Sequence, residues 1–152
     1  MKTTALFLLL ALGGAAQAGD PLLTVDGPDG TRNYDQAALS ALGLVSFTTS
    51  TIWTERQTAF TGVPLQAVLT DAGIDAGVVS AVAINEYAVQ IPVTTVTADY
   101  PIVALQMDGK AMSVRDKGPL WLVYPYDSDP ALQSELILAR SIWQMVRIES
   151  LR

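Results

Sequence analysis

Leu65, Val68, Leu69 and Ala72 fall at i, i+3, i+4 and i+7, the spacing that gathers apolar side chains on one helical face. Pro64 suits a first helical turn and Gly73 a terminus, so a helix is predicted over 64–73. Elsewhere the rhythm is that of strands. Leu22 to Val25 reads as a short strand closed by the turn Asp26-Gly27-Pro28-Asp29-Gly30, and the β-branched and aromatic run Leu44 to Thr51 as another. Val78 to Ile84 and Tyr87 to Val93 make a predicted hairpin around Asn85-Glu86, and Pro101 to Met107 is answered across Asp108-Gly109 by Lys110 to Val114. Leu120 to Tyr124 is a buried strand, and Trp143 to Ile148 a closing one. Asn33 or Asp35 caps a brief helix over Gln36 to Leu42, ended by Gly43, and Pro130 to Ala139 has helical spacing. About seven or eight strands with two or three short helices predict one mixed α+β domain with a β-rich core.

The first residues carry a different pattern. Lys2, the apolar run Ala5 to Leu12 and the small-residue exit Ala16-Gln17-Ala18 have the three parts of a secretory signal, so residues 1–18 are expected to be a cleaved leader and residues 19–152 the mature domain. The run is far shorter than the roughly 20 residues a spanning helix needs, which predicts export to the periplasm without membrane insertion.

Composition removes whole reaction classes. The 152 residues include no cysteine and no histidine. That excludes Ser-His-Asp and Cys-His nucleophiles and the usual zinc ligand sets, and it leaves carboxylates, Lys, Arg, Tyr or a bound cofactor to carry any catalysis. Without Lys2 the chain has 9 − 1 = 8 basic against 15 acidic residues, a net charge of −7. Nucleic acid and anionic membranes are poor partners for such a surface.

Several residues remain as candidates. Trp53, at a strand-to-loop junction, is either a stacking platform or an aromatic lid on the core; Trp121 alternates with core residues, and Trp143 follows the polar pair Arg140-Ser141. In Arg115-Asp116-Lys117-Gly118-Pro119 the mixed charges are either a solvated loop or a recognition loop. In the second case the Asp116 carboxylate accepts a pair of ring N–H donors, while Arg115 and Lys117 meet a carbonyl edge or anchor Asp116. Glu55 is the competing carboxylate. Asn85 and Tyr87 are turn residues or secondary polar contacts, and Asp127-Ser128-Asp129 lacks the later glycine and glutamate of a calcium loop.

Three phrases bear a resemblance. They are Phe47 to Thr54 followed by Phe60-Thr61-Gly62-Val63-Pro64-Leu65; Asp116-Lys117-Gly118-Pro119-Leu120-Trp121-Leu122-Val123-Tyr124-Pro125; and Arg140-Ser141-Ile142-Trp143. They are similar to the Cys-x-x-x-Trp region, the Asn-Gly-x-Pro-Leu-Arg-Leu-Val-x-Pro strand and the Lys-Ser-Ile-Lys phrase of the molybdopterin-binding oxidoreductase family, which includes the sulfite oxidase catalytic domain. The resemblance implies that fold, and it departs from the family in three places. Thr49 stands at the metal-binding cysteine, Trp121 at an arginine and Trp143 at a lysine. A threonine hydroxyl is a poor substitute for a thiolate, and two phosphate-binding charges have become aromatic surface.

That pattern resembles a smaller branch, the cysteine-less periplasmic pterin-binding proteins. It implies a reduced pterin bound without molybdenum, contacted by Trp53, Asp116, Lys117, Trp121, Trp143, Arg115, Ser141, Thr49, Asn85 and Tyr87. It also implies a membrane-anchored partner with a periplasmic domain that makes or degrades cyclic di-GMP. The alternative is a molybdopterin-dependent oxidoreductase subunit.

Overall fold

Local chemistry accounts for the first elements of the computed structural model, which describes residues 19–151. The leader expected over 1–18 lies outside the described residues. Strand β1 (Leu23–Gly27) turns through Pro28-Asp29 into β2 (Gly30–Tyr34), and the Asp35 carboxylate then accepts the Ala38 N–H at 2.7 Å to cap α1 (Gln36–Ala41). After Gly43, whose φ of 107° few other residues tolerate, come β3 (Val45–Thr49) and β4 (Thr58–Pro64). Pro64 caps α2 (Leu65–Asp71), which buries Leu65, Val68 and Leu69.

The hairpin β5 (Val78–Ala83) and β6 (Ala88–Pro92) turns at Glu86 with φ 66°, and a short 3-10 turn leads to β7 (Ile102–Met107). Asp108 and Gly109, both at positive φ, return the chain into β8 (Lys110–Ala111), and β9 (Trp121–Val123) follows the loop that includes Asp116. Two 3-10 turns, Tyr126–Ser128 and Pro130–Gln133, precede α3 (Glu135–Arg140) and the closing strand β10 (Met145–Leu151).

These strands form two sheets, ordered β2-β1-β10-β5-β6 and β3-β4-β7-β8, with β9 also paired to β7. The first and last strands of the described residues meet in the first sheet, where β1 runs parallel to β10 from Thr24↔Arg147 to Asp26↔Glu149. Burial divides into two clusters. One is aliphatic, built on Leu23, Leu39, Val68, Leu69, Ile91, Leu105, Leu122 and Ile148. The other is aromatic, built on Phe60, Trp121, Tyr124 and Tyr126, with Trp53 and Trp143 packed against it.

The α+β, β-rich architecture is the predicted one, with differences of detail. Strands β2 and β4 were not expected. β2 leaves all but Tyr34 exposed, and β4 bulges between Thr61 and Gly62 against β7, which breaks its alternation. Of Lys110 to Val114 only Lys110 and Ala111 pair, and the helix expected over 130–139 is a 3-10 turn followed by α3, separated where Ser134 caps the latter. The closing strand begins at Met145, because Gln144 sits at φ 50° and turns the chain before it. Trp143 is thereby left outside the sheet.

Candidate functional site

A cavity of about 400 Å³ opens where three chain segments converge: the loop after β3, the β5–β6 turn and the link from α3 to β10. That volume is within the range of small-molecule sites. Its walls are Trp53 and Trp143, the apolar Ala83, Leu138, Ala139 and Ile142, and the polar Asn85, Tyr87, Ser141 and Gln144. Among the described residues no charged one lines it.

Each wall is held by identifiable bonds. Thr51 accepts the Trp53 N–H at 3.0 Å and exchanges a hydroxyl bond with Thr54 at 2.9 Å, closing the loop that presents the indole. The half-buried Trp53 ring meets Trp121 at 5.9 Å, Tyr126 at 6.4 Å and Trp143 at 5.5 Å between centroids, all edge to face. Such contacts contribute about 0.5–1.5 kcal/mol each beyond burial. Trp121 is fully buried, and its indole N–H donates to the Ser141 carbonyl at 3.2 Å. It is the floor under the site and not its wall.

Ser141 is almost fully buried. Its hydroxyl accepts from Tyr126 at 2.6 Å and donates to the Ile137 carbonyl at 2.9 Å, which fixes the α3 terminus. Burial pushes the Tyr126 phenol up to about 12, partly opposed by the Ser141 bond, so Tyr126 is a donor throughout the neutral range. The Asn85 side-chain oxygen accepts the Tyr87 N–H at 3.2 Å, which leaves the Asn85 amino group to donate. The Gln144 amino group donates to the Val114 carbonyl at 2.6 Å, which leaves its amide oxygen to accept. The cavity therefore offers both a donor and an acceptor on a neutral, aromatic background.

The other expected site residues lie elsewhere. Asp116 is exposed, accepts the Ser113 hydroxyl at 2.9 Å and is not part of the cavity wall, and neither is the exposed Arg115. Lys117 is adjacent without lining the cavity: its ammonium stands 5.0 Å from the Trp143 ring centre and 5.5 Å from that of Trp121, and its carbonyl accepts the Gln144 N–H. Thr49 is fully buried at the end of β3, its hydroxyl accepting from the Asp127 N–H at 3.1 Å and donating to the Ser50 carbonyl at 3.3 Å. Glu55 is exposed and away from the walls.

Sequence reasoning missed Gln144, Tyr126 and Leu138. An amide beside an indole carries no distinctive spacing, and only the positive φ at Gln144 turns it into the cavity. The Asp127-Ser128-Asp129 run is structural. Asp127 accepts the Ser50 N–H at 2.7 Å, which lowers its pKa, and Asp129 caps the following 3-10 turn through Ala131. Among the described residues no cluster of three metal-ligating side chains occurs.

A comparison with curated proteins returns no match. The family described as oxidoreductase molybdopterin binding domain matches residues 35–127, more than half of the chain. The match spans the Trp53 loop, the Asn85-Tyr87 turn, Lys117 and Trp121, and ends before Ser141 and Trp143. The family's cofactor does not fit this site. The chain has no cysteine to supply a thiolate, the Thr49 hydroxyl is buried in two hydrogen bonds, and the uncharged walls offer a phosphate no cation. On the scaffold, matched from Asp35 to Asp127, the chain belongs to the oxidoreductase molybdopterin binding domain family.

Proposed function

We propose that this protein is an exported pterin-binding protein of the periplasm, that it binds a reduced pterin against the aromatic corner formed by Trp53 and Trp143 without molybdenum, and that it presents its ligand state to a membrane-anchored cyclic di-GMP enzyme. One observation carries the ligand reading: two indoles wall an uncharged cavity whose polar groups include an amide donor on Asn85, an amide acceptor on Gln144 and the Tyr87 hydroxyl. The pyrimidine half of a reduced pterin is flat, neutral and edged by both donors and acceptors, so it matches such walls in shape and in hydrogen bonding. Stacking on one indole is worth about 1–3 kcal/mol by analogy with nucleobase stacking. Trp121 at the family's arginine position removes a charge that a phosphate would need. Export and the partner are supported by the leader-like residues 2–18 and by the resemblance to the cysteine-less branch.

The test is anaerobic calorimetry of the purified protein with a tetrahydropterin, paired with elemental analysis. Saturable one-to-one heat from protein free of molybdenum is the expected result. The second reading, a molybdopterin-dependent oxidoreductase subunit, is favoured by the family match itself. Stoichiometric molybdenum in protein from an export-competent host, together with no heat from any pterin, would replace the first reading with the second.

A further inference from the structure

Trp53 meets Trp121, Trp143 and Tyr126 edge to face, and Trp121 meets Trp143 likewise, so the cavity stands against one continuous aromatic cluster. A corner of that kind is ordinarily a trap for cations, because each ring face carries negative charge that attracts an ammonium or a planar cation. The chain's net charge of −6 adds to the attraction, since an acidic protein concentrates cations around itself. Aromatic walls alone thus admit two ligand classes, cationic rings and neutral ones.

Lys117 separates them. Its ammonium stands 5.0 Å from the Trp143 ring centre and 5.5 Å from that of Trp121, and among the described residues no carboxylate pairs with it. The Lys117 carbonyl accepts the Gln144 N–H at 2.9 Å and the Val114 carbonyl accepts the Gln144 amide at 2.6 Å, which ties this loop to the Trp143-Gln144 wall. Neighbouring charges do not cancel the ammonium. Glu86 meets Arg147 at 3.0 Å, the exposed Arg115 and Asp116 are of opposite sign, and Arg140 at the α3 end makes no ion pair among the described residues. Glu55 and Glu135 are exposed, where solvent screens them.

We propose that Lys117 is a specificity-determining residue: its ammonium already occupies the cation-binding capacity of Trp143, so the cavity rejects cationic rings and takes neutral ones. Lys117 does not line the cavity, and its charge therefore reaches the ligand space without filling it. A unit charge about one ring away in a partly shielded site changes the affinity of a charged ligand roughly tenfold. A phosphate gains no hydrogen bond in return, because the ammonium is not on the wall. The inference rests on the cavity being the ligand site of the proposed function. Given a pterin there, the form bound is the ring without a proton on N5.

Quinoline and 1-methylquinolinium, flat rings of similar size that differ by one charge, test this in NMR titrations of the purified protein, with a tetrahydropterin titrated in parallel. The wild type is expected to prefer quinoline. Lys117→Met should shift the affinity ratio about tenfold towards the cation, and Lys117→Arg should keep the wild-type ratio. A merely structural loss would lower both affinities and leave their ratio alone. An unchanged ratio in Lys117→Met, a Lys117→Arg that behaves like Lys117→Met, a wild type that prefers the cation, or one that binds neither ring would each overturn the proposal. Should Lys117→Met misfold, the wild-type preference decides. The expected quinoline ratios without tetrahydropterin binding would sink the pterin reading and leave the role of Lys117 standing.

Discussion

Trp53 and Trp143 meet edge to face, with ring centroids 5.5 Å apart and planes inclined at 74°. One comes from the loop after β3 and the other from the link before β10, and Trp121 lies beneath both at 5.9 and 6.3 Å. The Lys117 ammonium near Trp143 adds a cation-π contact worth roughly 0.5–1 kcal/mol. The pair is an aromatic corner with one side open to the cavity.

Replacing Trp53 or Trp143 by Ala should therefore weaken tetrahydropterin binding by about 10- to 100-fold, the loss of one stacked ring. Trp53→Phe should cost less than Trp53→Ala. Calorimetric titration measures both, with circular dichroism checking that the fold survives.

Asp116 and Asn85 separate two accounts of ring recognition. Since Asp116 is spent on the Ser113 hydroxyl outside the cavity, Asp116→Asn should leave affinity unchanged. Asn85→Ala removes a wall donor and should weaken binding several-fold, about what one lost hydrogen bond costs. The same titrations decide it.

Restoring a thiol should not restore a metal. Thr49 is fully buried, hydrogen-bonded to Asp127 and Ser50, and absent from the cavity wall. Thr49→Cys is expected to lower the melting temperature and to leave molybdenum substoichiometric by elemental analysis.

Two glycines sit where backbones nearly touch. A Cβ at Gly62 would stand 2.1 Å from the Val103 carbonyl oxygen, and one at Gly118 2.0 Å from that of Met112. Gly62→Ala and Gly118→Ala should each destabilise by about 1–3 kcal/mol or more, read as a lower urea midpoint with unchanged slope. Gly118→Ala should also disturb the Lys117 contact with Trp143.

Stability should fall at both ends of the pH scale for identifiable reasons. Tyr126 is raised to about 12 from 10.0, so above pH 10 the unfolded chain ionises this phenol while the folded chain cannot. Its contribution is full below pH 10 and is lost as pH rises towards 12; Tyr126→Phe should flatten that decline. Asp127 is lowered by the Ser50 N–H, so its contribution is present above the ordinary carboxylate range and is lost as pH falls through the lowered value. Asp127→Asn should remove that acid-side dependence in urea titrations at stepped pH.

Much of this was legible in one dimension because it depends on neighbours in the chain. The α2 stripe, the Asp35 cap, the Asn85-Glu86 and Asp108-Gly109 turns and the α+β class all arise from periodicity and turn chemistry within a few residues. β2 and β4 were not legible: one is exposed on both faces but for Tyr34, and the other is bulged, so neither alternates cleanly. Trp53, Trp143, Asn85, Tyr87 and Ser141 stood out as polar or aromatic candidates, but nothing local said that they share the walls of one cavity.

The sequence by itself determined what chemistry is available. A chain without cysteine or histidine offers no thiolate and no imidazole in any fold. Only the tertiary structure decided which candidates meet. It joined Trp53, Asn85 and Trp143 from three distant segments, sank Thr49 and Trp121 beneath the surface, and left Asp116 outside. The reason is physical: the sheets and the Gln144 turn set side-chain directions through long-range pairing and close packing, and no local pattern encodes those.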